Sequence, residues 1–226
     1  MPKWSSAISS IANPSRARAA GVSRFVYTSA LGAAPDHPVD FFRTKYAIEQ
    51  HLQGSGLDYA ILRPSAFMEW HAHAFNGKSI LDKGRTMLLG SGNKLRNFVA
   101  ARDVAQFAVL ALFAAPLLER VLEIGGPGNF SNNEVAQLYA RIAGIEPRIG
   151  HIPAAAARAI GLIARPLHPG ISRVMQLASL HDDAWPETFD PARLLRKYPI
   201  PLTSLETFVR ERVAEMRAGA TRPPLD

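Results

Sequence analysis

The 226-residue sequence contains no cysteine. That excludes a disulfide-stapled scaffold, a cysteine nucleophile and any thiolate metal site. It also lacks a long apolar run. Stretches such as Val104–Pro116 are too short or too interrupted to cross a bilayer, so no membrane span is expected. Acidic residues are missing from the start, where the first is Asp36. An Arg- and Ser-rich, acid-poor beginning has the composition of an organelle transit peptide but no continuous apolar core of a secretory signal. The simpler reading is preferred: residues 1–20 form an irregular or helical N-terminal segment leading into a strand. Dense basic blocks are absent as well. Lys plus Arg is 26 against 19 Asp plus Glu, a formal charge of +7, but the cations are scattered. The charge therefore reads as a solvated surface, and no nucleic-acid partner is expected.

What is present is ordinary globular composition, 47% apolar and 20% charged, which excludes a disordered, collagen-like or coiled-coil chain. A cytoplasmic protein is expected. Arg24–Thr28 is short, aromatic and β-branched and predicts a buried strand. The spacing predicts a helix over Val39–Gly54, with Phe41, Lys45, Ile48 and Leu52 on one face. Leu57–Leu62 is a second strand, followed by Arg63 and Pro64 as its exit, and Ser65 to about Phe75 is helical. Strands over Thr86–Leu89 and Asn97–Ala100 flank a glycine turn. Asp103 is placed as the cap of a helix Val104–Ala115. Val121–Ile124 is a strand, and Ser131 with Glu134 forms the capping box of a helix Asn132–Ala143. Beyond it the sequence reads as mostly helical, including Ile171–His181 and a last helix opened by Thr203 and Glu206. Strands alternate with helices through residue 143, which predicts βα units and a mainly parallel sheet.

Lys45 is the first residue that suggests chemistry, because a lysine on an apolar helix face is costly unless something pairs with it. Ser29 lies just past the end of the preceding strand, where open parallel sheets bind ligands. Ser29, Lys45 and the turn Arg63-Pro64-Ser65-Ala66-Phe67 are thus expected to converge on one crevice. Other polar groups are weaker candidates. His71 and His73 are two apart, point to different helix faces and make a poor metal pair, so no metal site is expected. Glu69 with His71 is a conceivable acid/base pair, and Arg96 a conceivable anion contact.

The run Gly21 to Ala30 resembles the fourth-strand segment of NmrA-like, atypical short-chain dehydrogenase/reductases, members of the NAD(P)-binding Rossmann superfamily. Phe42-Arg43-Thr44-Lys45 with Glu49, Ile61-Leu62-Arg63-Pro64, Arg96-Asn97-Phe98-Val99 with Asp103, and Glu123-Ile124-Gly125-Gly126-Pro127 continue the resemblance in order. It implies an α/β fold, an incomplete doubly wound, mainly parallel sheet with a small helical C-terminal substrate lobe. Residues 21–145 would be the later part of a Rossmann-like NAD(P)-binding domain, and residues 146–226 the lobe. It implies NADP or NAD as cofactor. Thr28, Ser29 and Ala30 would line the nicotinamide pocket, and Lys45, the one catalytic residue carried over, would bond the ribose hydroxyls. Pro64, Ser65, Ala66 and Phe67 would lie beside the nicotinamide ring. Phe41, Met68 and Glu69 would border the substrate.

The chain departs from the family in two respects. It shows no strand with a glycine-rich pyrophosphate loop, so it is expected to start near the helix before the fourth strand. And where the family carries tyrosine four residues before its lysine, this chain carries Phe41, which has no proton to give. The resemblance then implies hydride transfer from a nicotinamide nucleotide to a small-molecule acceptor such as a quinone. The alternatives are a non-catalytic nucleotide-sensing or accessory subunit, or an inactive truncated remnant. A sheet lacking its first strands would call for a homo-oligomer or a partner completing it.

Overall fold

The protein is described from a computed structural model. The structure describes residue 17 and residues 19–113, 120–164 and 187–220. The chain divides into two compact units, Met1–Pro64 with Arg102–Ile124, and Ser65–Ala101 with Gly125–Asp226.

The first unit is built on a three-stranded parallel sheet of order β1-β2-β6, from β1 (Arg24–Thr28), β2 (Asp58–Pro64) and β6 (Val121–Ile124). Helix α1 (Asp40–Gln53) connects β1 to β2 and lies against β2. Ala60, Ile61 and Leu62 are fully buried in a row, the continuous apolar pattern of a central parallel strand covered on both faces. β2 runs two residues further than the apolar run predicts, through Arg63 and Pro64. These pair in register with Glu123 and Ile124, and Pro64 is tolerated because it ends the strand. Parallel pairing also continues past β1: Ser29 donates its N–H to Leu62 O (2.7 Å), and Leu31 donates to Pro64 O (2.8 Å).

The second unit carries two small sheets. In one, β3 (Ala66–Phe67) runs parallel to β5 (Arg96–Val99), and β7 (Asn129–Phe130) pairs antiparallel to β5. In the other, β4 (Arg85–Leu89) is parallel to β8 (Arg148–Ile152). Parallel βα construction is thus present, divided among separate small sheets. Between β3 and β4 lie a π-helix, Met68–Gly77, and α2 (Lys78–Lys83). The expected helix over Ser65–Phe75 is replaced at its start by β3 and continues as this π-helix, a rare form that often marks functional sites. Helix α3 (Ala101–Phe113) begins before Asp103, which lies buried in its first turn and is not its cap. Helix α4 (Asn132–Ala143) has the predicted Ser131/Glu134 capping box. β8 falls where only helix was expected, and α5 (Ala154–Ala164) and α6 (Ala192–Lys197) follow. The last helix, α7 (Leu205–Ala220), is capped by Ser204, whose hydroxyl accepts the Thr207 N–H (3.0 Å); Glu206 instead pairs with Arg210. Leu205, Phe208, Val209 and Val213 of its stripe join Met68, Ile80, Phe98, Val135 and Tyr139 in the buried core. The expected helix Ile171–His181 and most of the segment 1–20 lie outside the described residues.

Candidate functional site

In the first unit, the carboxyl ends of β1 and β2 bring several of the expected residues together. Lys45 on α1 donates from Nζ to Thr28 O at 2.9 Å. The ammonium also lies 5.1 Å from the Tyr27 ring centre and 5.6 Å from that of Phe41, within cation–π range. Desolvation pulls the Lys45 pKa below its usual value, with the nearby Glu49 carboxylate opposing the shift. An ammonium has three N–H donors. With one on Thr28 O, two are left to face a ligand.

Behind this lysine is a buried charged centre that the spacing did not single out. Glu49, one turn after Lys45, is fully buried. Its carboxylate accepts from Arg63 at both oxygens, Nε to Oε1 at 3.0 Å and Nη2 to Oε2 at 2.6 Å. Ser29 donates its hydroxyl to Oε1 at 2.5 Å. Hydrogen bonding to Glu49 is the main reason the Arg63 guanidinium is raised above its usual range. The Ser29 hydroxyl proton is therefore committed to Glu49, and what Ser29 can offer elsewhere is an acceptor. Tyr27 in β1 is pushed up to about 12 by burial and then by Glu49. Its hydroxyl is buried with no hydrogen-bond partner, so it stays protonated at neutral pH. Phe41 is half exposed, at 49%, and with it the apolar stripe of α1 opens to solvent at its first turn while Leu52 closes it at the last.

Also in the first unit, Ala30 O accepts the Ala33 N–H at 3.1 Å and Pro64 ends β2; the remaining expected residues belong to the second unit. Ser65 donates its hydroxyl to Asn97 Oδ1 (2.8 Å), Ala66 and Phe67 form β3, and Met68 is buried in the core. Glu69 accepts the Ala101 N–H on both oxygens, at 3.0 and 3.2 Å, and so satisfies the first backbone donor of α3. Arg96 is held by Glu187 at 3.0 Å. His73 meets the Tyr139 hydroxyl at 3.1 Å through Nδ1. No group of side chains suited to a metal ion occurs among the described residues, and none of their helices is long and apolar enough to cross a membrane.

Asn97 is the second unit's polar centre. Its Oδ1 accepts from Ser65 and from Gly126 N–H (2.7 Å), and its Nδ2 donates to Gly126 O, Gly128 O and Asn129 Oδ1, each at 3.1 Å. The glycines are required by close approach: a Cβ on Gly126 would stand 1.9 Å from Phe98 O, and one on Gly125 would strike the Phe189 ring.

Residues 11–115 match the model of a family described as NAD(P)H-binding. Among curated relatives, the chain is 34% identical to an NAD(P)H azoreductase of Xenophilus azovorans over 129 residues, covering 57% of this chain and 44% of that protein. It is 29% identical to the photosystem II assembly factor Ycf39 of Guillardia theta over 137 residues, covering 61% and 43%. The chain spans under half the length of these relatives. A Citrobacter triphenylmethane reductase, solved with NADP(H), shares the fold at TM-score 0.68 and 15% identity, with 88% of this chain and 68% of that one covered. An NADPH-dependent quinone oxidoreductase of Escherichia coli shares it at TM-score 0.65 and 19% identity, with 88% and 70% covered. At these identities the structural likeness shows the fold, which is Rossmann-like.

Proposed function

We propose that this chain, whose residues 11–115 match the model of an NAD(P)H-binding family, binds NADH or NADPH at the carboxyl ends of β1 and β2. Hydride then passes to a small acceptor such as a quinone or azo compound. The nicotinamide supplies the hydride when bound. The chain's own residues supply position. The donor set around Lys45 fits the ribose end of such a nucleotide: two N–H groups remain for a vicinal diol, and Thr28 O orients the ammonium by taking the third. Glu49 and Arg63 hold Ser29 and the end of β2 still from behind.

The observation that carries the reading is Phe41, one helical turn before Lys45 and within cation–π reach of it. A phenyl ring lines a site but cannot hand on a proton. Tyr27 does not replace the missing acid, because burial raises its pKa to about 12 and its hydroxyl is enclosed. The acceptors favoured are those whose reduced form takes its proton from water, as quinones and azo groups do. The similarity to an azoreductase supports this class.

The similarity to an assembly factor supports a second reading, in which the nucleotide is bound without turnover and the protein serves as an accessory or sensing subunit. One assay separates them. Purified protein is mixed with NADH or NADPH and a panel of quinones, azo dyes and aldehydes, and nicotinamide oxidation is followed by absorbance. The first reading expects oxidation with a quinone or azo acceptor and none with aldehydes. Nucleotide binding with no oxidation by any acceptor supports the second and overturns the first.

A further inference from the structure

The second unit contains a cavity of about 670 Å3 that the nucleotide reading does not use. Its size is typical of small-molecule sites. Lys83 and Ser79 of α2, Arg85 and Met87 of β4, Arg148 of β8, and Phe75 of the π-helix line it, and no carboxylate occurs among its lining residues. Lys83, Arg85 and Arg148 are exposed. Of the acids nearest in sequence, Asp82 is taken by Lys78 at 2.7 Å, and Glu146, two residues before Arg148, is not among the lining residues. Among the described residues no carboxylate pairs with any of the three cations.

The β4–β8 register makes this arrangement costly for the free protein. Arg85 and Arg148 are direct partners across the parallel ladder. Alternation places them on one face, and like charges in that relation repel. An anion seated between the two guanidiniums removes the repulsion and takes charge-assisted, bidentate hydrogen bonds. Two positions further along the same face, Met87 opposes Gly150. A Cβ there would stand 2.4 Å from Met87 Sδ, so the glycine leaves room for the thioether over β8. Met87 and Phe75 are each 57% exposed. A thioether and an aromatic ring beside paired guanidiniums suit a flat aromatic surface better than a bare ion.

We propose that this cavity binds an aromatic anion, with Arg85 and Arg148 holding a carboxylate, sulfonate or phosphate and with Phe75 and Met87 covering the ring. The site stands on the second unit alone.

The test is isothermal titration of the whole chain with naphthalenesulfonate, naphthalenesulfonamide and inorganic phosphate, without nucleotide, so that failure here leaves the nucleotide reading standing. The sulfonate is expected to bind about tenfold or more tighter than the neutral sulfonamide, since hydrogen bonds to a charged group are lost. It is also expected to bind tighter than phosphate. Arg148→Gln should weaken the sulfonate about tenfold while keeping or raising the thermal midpoint, because it removes a like-charge pair. That unchanged or higher midpoint shows the variant is folded. Equal affinity for the sulfonamide overturns the anion half of the proposal, and phosphate binding as tightly as the sulfonate overturns the aromatic half. Undiminished sulfonate binding in Arg148→Gln puts the ligand elsewhere and overturns the site.

Discussion

Each unit of the chain has a buried polar side chain that gathers several hydrogen bonds, but the two centres differ in kind. In the first unit it is a charge, Glu49, neutralised by Arg63 and bonded by Ser29. In the second it is a neutral amide, Asn97, which spends its donors and acceptors on the Ser65 hydroxyl, on β7 and on the glycine loop after β6. A buried ion pair adds little net stability, because desolvation offsets the attraction, yet removing one partner is severe. A saturated amide costs less to bury and fixes backbone geometry. The charged centre stands directly behind Lys45, where it biases the lysine's protonation.

The sharpest way to break the comparison is Arg63→Met. It leaves the Glu49 carboxylate buried with only the Ser29 hydroxyl, and urea unfolding should show a loss of about 3–5 kcal/mol. Adding Glu49→Gln should recover much of it. A loss under about 1 kcal/mol would mean that the pair behaves like a surface salt bridge. The matching change in the second unit, Asn97→Ala, strands the Gly126 N–H and the Ser65 hydroxyl and should cost about 3 kcal/mol. No double variant at Ser65 should restore it, because the glycine contacts remain open. Gly126→Ala forces a methyl into Phe98 O and should cost about 2 kcal/mol, read by the same urea unfolding. Unchanged unfolding would show that the loop is free to move away.

The smallest effect concerns pH. Burial, helped by Arg212 and Lys78, holds His73 below its usual 6.5. The unfolded chain therefore takes a proton first as pH falls. Stability from this group is full above the unfolded value and declines as pH drops through 6.5 toward the lower folded value. The thermal midpoint should fall across that window, and His73→Gln should flatten the slope. An identical slope in the variant assigns the fall to other groups.

Much of the frame is legible in the sequence. The apolar run of β2, the strand–helix alternation and the Ser131/Glu134 box are local patterns, and local patterns survive folding here. Lys45 is legible for the same reason, a charge placed on an apolar stripe. The centres behind the site are not. Glu49 looks like one more helix acid until Arg63, fourteen residues on, closes over it. Asn97 bonds mainly to backbone atoms of glycines, which carry no side-chain signature. The π-helix has no period that a 3.6-residue reading detects, so Ser65 to Phe75 reads as ordinary helix. β8 is short, holds Gly150 and sits between prolines at 147 and 153, so its alternation is too brief to stand out. The cap of α7 moves by one residue because Ser204 and Thr203 are equally good caps by type.

The central claim is that Lys45 and the ends of β1 and β2 hold a nicotinamide nucleotide. Thermal melts of the whole chain and of Lys45→Met, each with NADH and with NADPH, test it directly. Ligand at 100 times Kd adds about 2.7 kcal/mol, so the wild-type midpoint should rise by about 5–11 °C with one of the two. Lys45→Met should melt cooperatively near the unliganded wild type and lose most of that rise. No rise with either nucleotide, or an equal rise in the variant, would contradict the claim.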